Sequence, residues 1–148
     1  MLTQKRNIMK QSNLLKYIVF PLLIVIAWLC LVLYTFNDKP DMNGDNFSYY
    51  IYATSLAQGE GYCDLSSPGS PATSNFPPGY PILMSPLRMI TDSVVAQKWL
   101  NELFVLGSIL LLYFALLALS LPLSISFTAS FAGLFCPRSL HFSTMTMS

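Results

Sequence analysis

The sequence predicts an all-α integral membrane protein with about three transmembrane helices and a 61-residue outer loop, residues 38–98, after the first helix. Hydrophobic residues make up 53% of the 148 residues and charged residues only 10%, and the mean hydropathy is +0.52. A soluble domain carries about 25% charged residues, so this composition argues against a water-soluble globule. The net charge of +1 offers no basic surface for nucleic acid.

The charges are confined to a few segments and leave two long runs without any. Residues 17–37 contain no charge, and four basic residues precede them: Lys5, Arg6, Lys10 and Lys16. Residues 103–137 are uncharged over 35 positions. Residues 38–98 carry six acidic and three basic residues, and Glu102 follows them. This pattern is typical of membrane spans separated by a polar loop.

The first run predicts a transmembrane helix over residues 17–36, because 20 residues at about 1.5 Å each match a hydrocarbon core of about 30 Å. A cleaved signal peptide is the alternative. The uncharged run is longer than the apolar region of a signal peptide, which has about 7–15 residues. Residues 37–40 also offer no cleavage site of small residues. The basic flank predicts a cytoplasmic tail, residues 1–16, and an extracytoplasmic loop, residues 37–98.

The second run predicts two further spans, residues 99–119 and 121–137, joined by a turn. A single helix of 35 residues would be about 52 Å long, more than a bilayer needs. Glu102 is costly at mid-membrane and is expected at the outer interface beside Trp99. Residues 138–148 would then begin a second outer segment.

The third predicted span carries hydroxyl side chains that suit packing against other helices rather than lipid: Ser124, Ser126, Thr128 and Ser130. Three helices enclose these side chains poorly. We therefore expect further helix partners, and with them a larger fold of which this chain is the N-terminal fragment.

The outer loop predicts a short helix over residues 45–59, with Asp45 as its cap and Gly59 as its stop. Apolar positions recur on one helical face at Phe47, Tyr50, Ile51, Thr54 and Ala57. Residues 76–81, Phe-Pro-Pro-Gly-Tyr-Pro, predict a stiff turn. Thr91 or Asp92 is expected to cap a helix that leads into the second span.

The loop also carries an ordered pattern, G-D-x-x-x-Y, then A-x-x-L-x-x-G-x-G-Y, then P-P-G-Y-P. In this position after a signal anchor, the pattern resembles the N-terminal part of GT-C glycosyltransferases, the family of protein O-mannosyltransferases and lipid A aminoarabinose transferases. The resemblance covers about residues 15–148. The matching residues are Gly44, Asp45, Tyr49, Ala53, Leu56, Gly59, Gly61, Tyr62 and Pro77-Pro78-Gly79-Tyr80-Pro81.

The resemblance implies transfer of a sugar from a polyprenyl-phosphate-linked donor to an acceptor, a glycan, lipid or protein, on the outer face of the bacterial inner membrane. Asp45 matches the early acidic residue of the family and is the predicted catalytic base, since an acceptor hydroxyl must lose a proton as it attacks. The alternative role of Asp45 is structural, as the cap of the helix that it begins. The departing phosphate needs positive charge or a divalent metal.

Three further residues are predicted to bind substrate: Tyr80 by stacking on a sugar, and the outer cations Arg88 and Arg138. Some relatives carry a basic residue just before the two prolines, where this chain has Asn75-Phe76. His141 has no neighbouring ligand at metal-binding spacing, so no metal site is predicted from the sequence. The alternative function is a small non-enzymatic membrane subunit whose outer loop binds a partner.

Overall fold

The computed structural model describes residues 15–39 and 45–136. The regular secondary structure of these residues is helical, and they contain no β-strand. A π-helical turn, Leu15–Val19, leads into the first α-helix. The five α-helices are α1 (Phe20–Thr35), α2 (Asp45–Ala57), α3 (Gly79–Arg88), α4 (Val94–Ala118) and α5 (Leu123–Leu134). Among the described residues, the all-α prediction is confirmed.

Two helices are long and apolar enough to cross a membrane, judged by length and composition. They are Lys16–Thr35, with 20 residues, and Val94–Ala118, with 25. Only 17% and 22% of their most apolar windows are buried. Apolar side chains therefore cover the exposed faces of both helices, which is expected of helices that face lipid.

The bounds of the helices differ from those of the second and third predicted spans. The helix expected to lead into the second span, residues 99–119, is continuous with that span, and together they form α4, which begins at Val94. Ser93, rather than Thr91 or Asp92, caps this helix, because its Oγ accepts a hydrogen bond from the Ala96 N–H at 3.4 Å. The third span was predicted over 17 residues, whereas α5 has 12, about 18 Å at 1.5 Å per residue. The third span therefore stays a prediction.

The described residues form two compact units, whose boundary falls inside α4. We call residues 15–36 and 102–136 the apolar unit, and residues 37–39 and 45–101 the tyrosine-rich unit. The second name reflects five of the eight tyrosines, which fall in these residues.

The core of the apolar unit is formed where α1 packs on α5. Ile24, Trp28 and Val32 are buried at four-residue intervals along α1, a spacing that places them on one face. Ser126 and Ser130 are fully buried on α5. Two of the four hydroxyl residues of the third predicted span are therefore buried within the protein, whereas Ser124 and Thr128 are exposed.

Two charged or polar groups of α4 lie inside this apolar unit. Tyr113 is fully buried, and its hydroxyl donates to the Lys16 carbonyl oxygen at 2.7 Å. Glu102 is only 1% exposed, and its expected position at the outer membrane interface stays a prediction.

In the tyrosine-rich unit, α2 packs against α3. Helix α2 ends close to the predicted residue, because Gly59 adopts a φ of +80° that terminates helices. Ile51 of the apolar face is buried together with Tyr52, Ala53 and Ser55, whereas Phe47 of the same face is 44% exposed.

Helix α3 takes in the second half of the turn predicted at residues 76–81. It begins at Gly79 and contains Pro86 in its interior. Proline lacks the N–H that would bond the carbonyl of Ile82 four residues earlier. The Ser85 hydroxyl donates to this carbonyl at 3.0 Å instead, so the proline leaves no unpaired acceptor there.

Candidate functional site

The predicted catalytic residue, Asp45, is the first residue of α2 and is exposed to solvent. A carboxylate at a helix N-terminus is favoured by the helix dipole. Tyr49 and Tyr52 follow at intervals of four and seven residues, so they share a helical face with Asp45. Among the described residues, nothing hydrogen-bonds to the Asp45 side chain, and its carboxylate is therefore available to a ligand.

An aromatic cluster lies along this face of α2. Its members are Tyr49, Tyr52, Tyr62, Phe76 and Tyr80. The Tyr49 ring lies 5.5 Å from the rings of both Phe76 and Tyr80, in edge-to-face geometry. The Tyr52 ring lies 5.0 Å from Tyr62 and 6.1 Å from Phe76. The cluster thus joins three tyrosines of the sequence pattern from three separate segments of the chain.

Two glycines return the chain from α2 to the cluster. Gly59 and Gly61 have φ values of +80° and +81°, a region that side-chain-bearing residues rarely adopt. The Ser55 hydroxyl donates to the Gly61 carbonyl at 2.8 Å and fixes this reversal. Tyr62 is thereby placed over Tyr52.

Backbone and side-chain bonds hold the segment that follows. The Tyr62 hydroxyl donates to the Phe76 carbonyl at 3.0 Å, and the Thr73 N–H donates to the Tyr62 carbonyl at 3.0 Å. Burial raises the pKa of the Tyr62 hydroxyl, so it remains a donor. In the intervening turn, hydrogen bonds from Ser66 and Ser67 lower the pKa of the Asp64 carboxyl, which makes Asp64 a structural acid.

Tyr80, predicted to stack on a sugar, is part of the cluster, and its hydroxyl is already engaged. It donates to the Asn101 Oδ1 at 2.7 Å. Burial raises the pKa of Tyr80 to about 12. The ring is therefore a neutral stacking surface with a fixed orientation.

The titration of Tyr80 yields a testable prediction. Because its folded-state pKa of about 12 lies above the ordinary value of 10.0, its contribution to stability is complete below pH 10 and is lost as the pH rises toward 12. We expect the tyrosinate absorbance of the intact chain to show a late step, whose amplitude falls in Tyr80→Phe. Superimposable titration curves for wild type and Tyr80→Phe would contradict the raised pKa of Tyr80.

Arg88, the second predicted substrate ligand, is buried and makes contacts on every side. Its Nη2 lies 2.8 Å from the Asp92 carboxylate, and its Nε donates to the Thr54 Oγ1 at 3.0 Å. Its Nη1 donates to the Thr91 carbonyl at 3.2 Å, and the guanidinium lies 4.0 Å from the centre of the Tyr50 ring. Arg88 therefore links α2 to α3 and to the turn before α4.

Lys98 and Asn101, at the start of α4, were not among the predicted site residues. Lys98 is fully buried, and its Nζ donates to the carbonyl oxygens of Asn37 and Lys39 at 2.7 and 2.6 Å. Asn101 orients Tyr80. The available signal was a group of four polar residues in the first turns of a mainly apolar helix: Gln97, Lys98, Asn101 and Glu102.

The remaining predicted ligand, Arg138, lies outside the described residues, as does His141. Within residues 15–39 and 45–136, no three His, Cys, Asp or Glu side chains come together as metal ligands would. The structure thus brings Asp45 and Tyr80 to one aromatic face, and it assigns Arg88 to contacts within the protein.

No protein-family model, curated protein or solved structure matches this chain. The resemblance to GT-C glycosyltransferases accordingly depends on the residues of the sequence pattern.

Proposed function

We propose that the chain acts in a GT-C-type glycosyltransferase, which transfers a sugar from a polyprenyl-phosphate-linked donor to an acceptor hydroxyl at the outer membrane face. One observation supports this most: Tyr49, Tyr62 and Tyr80 meet on the helical face that begins with the exposed Asp45. An available carboxylate beside a fixed aromatic surface combines a proton acceptor with a stacking platform for a sugar ring.

In this proposal, Asp45 takes the proton of the acceptor hydroxyl as the acceptor oxygen bonds to the anomeric carbon. The bond from that carbon to the phosphate oxygen breaks, and the lipid phosphate leaves with the electron pair. Tyr80 and Tyr49 hold the sugar and exclude water from the reacting face.

The leaving phosphate also needs a positive charge. Arg88 is surrounded by protein partners, which makes it a poor phosphate ligand. Arg138 stays the predicted residue for this role.

The direct test is a transfer assay on membranes that carry the protein produced from its complete reading frame. Polyprenyl-phosphate-linked mannose and aminoarabinose, each radiolabelled on the sugar, are the donors. We expect release of polyprenyl phosphate together with label on an acceptor. Failure to release polyprenyl phosphate from any such donor, in membranes where the protein is folded, would contradict the proposal.

A second candidate function is a non-enzymatic membrane subunit whose tyrosine-rich unit binds a partner. The observation that favours it is the commitment of Arg88 and Lys98 to contacts within the protein, because a transferase needs a cation for phosphate. The same assay separates the two, since a subunit releases no polyprenyl phosphate.

The proposal also requires the tyrosine-rich unit to lie on the extracytoplasmic side of the membrane. In a variant without its native cysteines, Gln58→Cys introduces a thiol at an exposed position just after α2. We expect a membrane-impermeant maleimide to label this thiol in intact spheroplasts. Labelling that requires permeabilised membranes would contradict the orientation predicted from the basic flank.

A further inference from the structure

An open groove lies beside the aromatic cluster, in the tyrosine-rich unit. It has a volume of about 430 Å³ and is lined by the Tyr62 ring and residues 73–78. Small-molecule sites commonly measure about 300–1,000 Å³. The groove is therefore large enough for a small polar ligand, and its rim residues Ser74, Asn75, Pro77 and Pro78 are exposed.

The groove is built from rigid parts. Pro77 and Pro78 have fixed φ angles, and the Tyr62 hydroxyl is bonded to the Phe76 carbonyl. The Asn75 N–H donates to the Thr73 Oγ1 at 3.3 Å. A lining held in this way loses little conformational entropy when a ligand binds.

The lining combines two kinds of surface and has no charge. Tyr62, Phe76 and the two prolines are largely apolar lining residues, while Ser74 and Asn75 bring a hydroxyl and an amide. Among the described residues, nothing hydrogen-bonds to the Asn75 amide group, which can donate twice and accept. No Asp, Glu, Lys or Arg lines the groove.

We propose that this groove binds an uncharged pyranose of the acceptor. A pyranose has an apolar C–H face that suits an aromatic ring, and neighbouring hydroxyls that suit an amide. The absence of a lining cation disfavours the lipid phosphate, whose charge would remain unpaired. The inference rests on the proposed function and extends it by naming the acceptor as a neutral glycan.

Binding of simple glycosides to the full chain in detergent micelles tests the site. The probes are methyl α-mannoside, methyl β-glucoside and methyl β-galactoside, observed by saturation-transfer NMR. We expect at least one to bind, and Asn75→Ala to weaken it about tenfold through the loss of hydrogen bonds to the sugar. Gln58→Ala removes an exposed amide outside the groove and should leave the affinity unchanged.

Three outcomes would overturn the site. The first is no saturation transfer to any of the three glycosides, and the second is equal affinity in wild type and Asn75→Ala. The third is binding of a proline-rich peptide by a chain that binds no glycoside.

Phe76→Leu provides a second variant, which removes the aromatic ring from the groove lining. We expect it to abolish glycoside binding, while a fluorine label on Tyr80 reports whether the aromatic cluster remains folded.

The site and the proposed reaction can fail separately. Sugar transfer without glycoside binding would overturn the groove alone. Glycoside binding that depends on Asn75, in a chain that never releases polyprenyl phosphate, would uphold the groove and overturn the transferase.

Discussion

Replacing Asp45 by asparagine is expected to reduce sugar transfer by about 10²–10⁴-fold, the usual contribution of a general base. Asparagine has nearly the same size and caps a helix about as well as aspartate does. The side chain is exposed at the start of α2, so its replacement strains nothing in the core. The variant therefore loses basicity and keeps the fold, which the transfer assay and circular dichroism would measure together.

Glu60→Gln is the matched control. Glu60 is an exposed acid in the same unit, one residue after the glycine that ends α2. Neutralising it should leave both transfer and fold unchanged. An Asp45→Asn protein with wild-type turnover would show that the aspartate acts only as a helix cap.

Replacing Arg88 by methionine is expected to lower the free energy of unfolding of the tyrosine-rich unit by about 3 kcal/mol. Methionine preserves much of the apolar stem but removes the bonds to Thr54 and Thr91 and the contact with Tyr50. The Thr54 and Thr91 oxygens would have to find new donors. Hydrogen exchange of the amides of α2 and α3 measures the loss.

Asp92→Ala tests whether the ion pair or the other contacts carry this stability. The Asp92 side chain is 90% exposed although that of Arg88 is 3% exposed. An exposed carboxylate adds well under about 1 kcal/mol, so Asp92→Ala should be mild. Equal destabilisation by the two variants would show that the ion pair dominates.

The sequence was most informative where local chemistry decides the structure. The start of α2 at Asp45 and its termination near Gly59 follow from a capping residue and from a glycine with positive φ. Helix α3 could not be read in the same way, because its prolines favour a turn. Its interior proline is accommodated by the Ser85 hydroxyl, a contact that composition does not reveal.

The charges were the least predictable part of the candidate site. Arg88 was predicted to bind substrate at the outer membrane face and Lys98 was given no role, but both side chains are buried within the protein, which is rare for cations. Their partners depend on tertiary contacts: Thr54 is 34 residues from Arg88, and the Asn37 carbonyl is 61 residues from Lys98. The aromatic residues were better indicated, since the pattern named Tyr49, Tyr62 and Tyr80 before the structure joined them.

The burial of Arg88 and Lys98 also determines how the protein should respond to trypsin, which cleaves after lysine and arginine but poorly before proline. Between residues 37 and 101 the only other basic residue is Lys39, which Pro40 follows. Arg88 is 8% exposed and Lys98 is fully buried. The folded tyrosine-rich unit thus presents trypsin with no readily cleaved bond, on either side of a membrane. Resistance to this protease would report folding rather than sidedness, and digestion would begin only when local unfolding releases one of the two side chains.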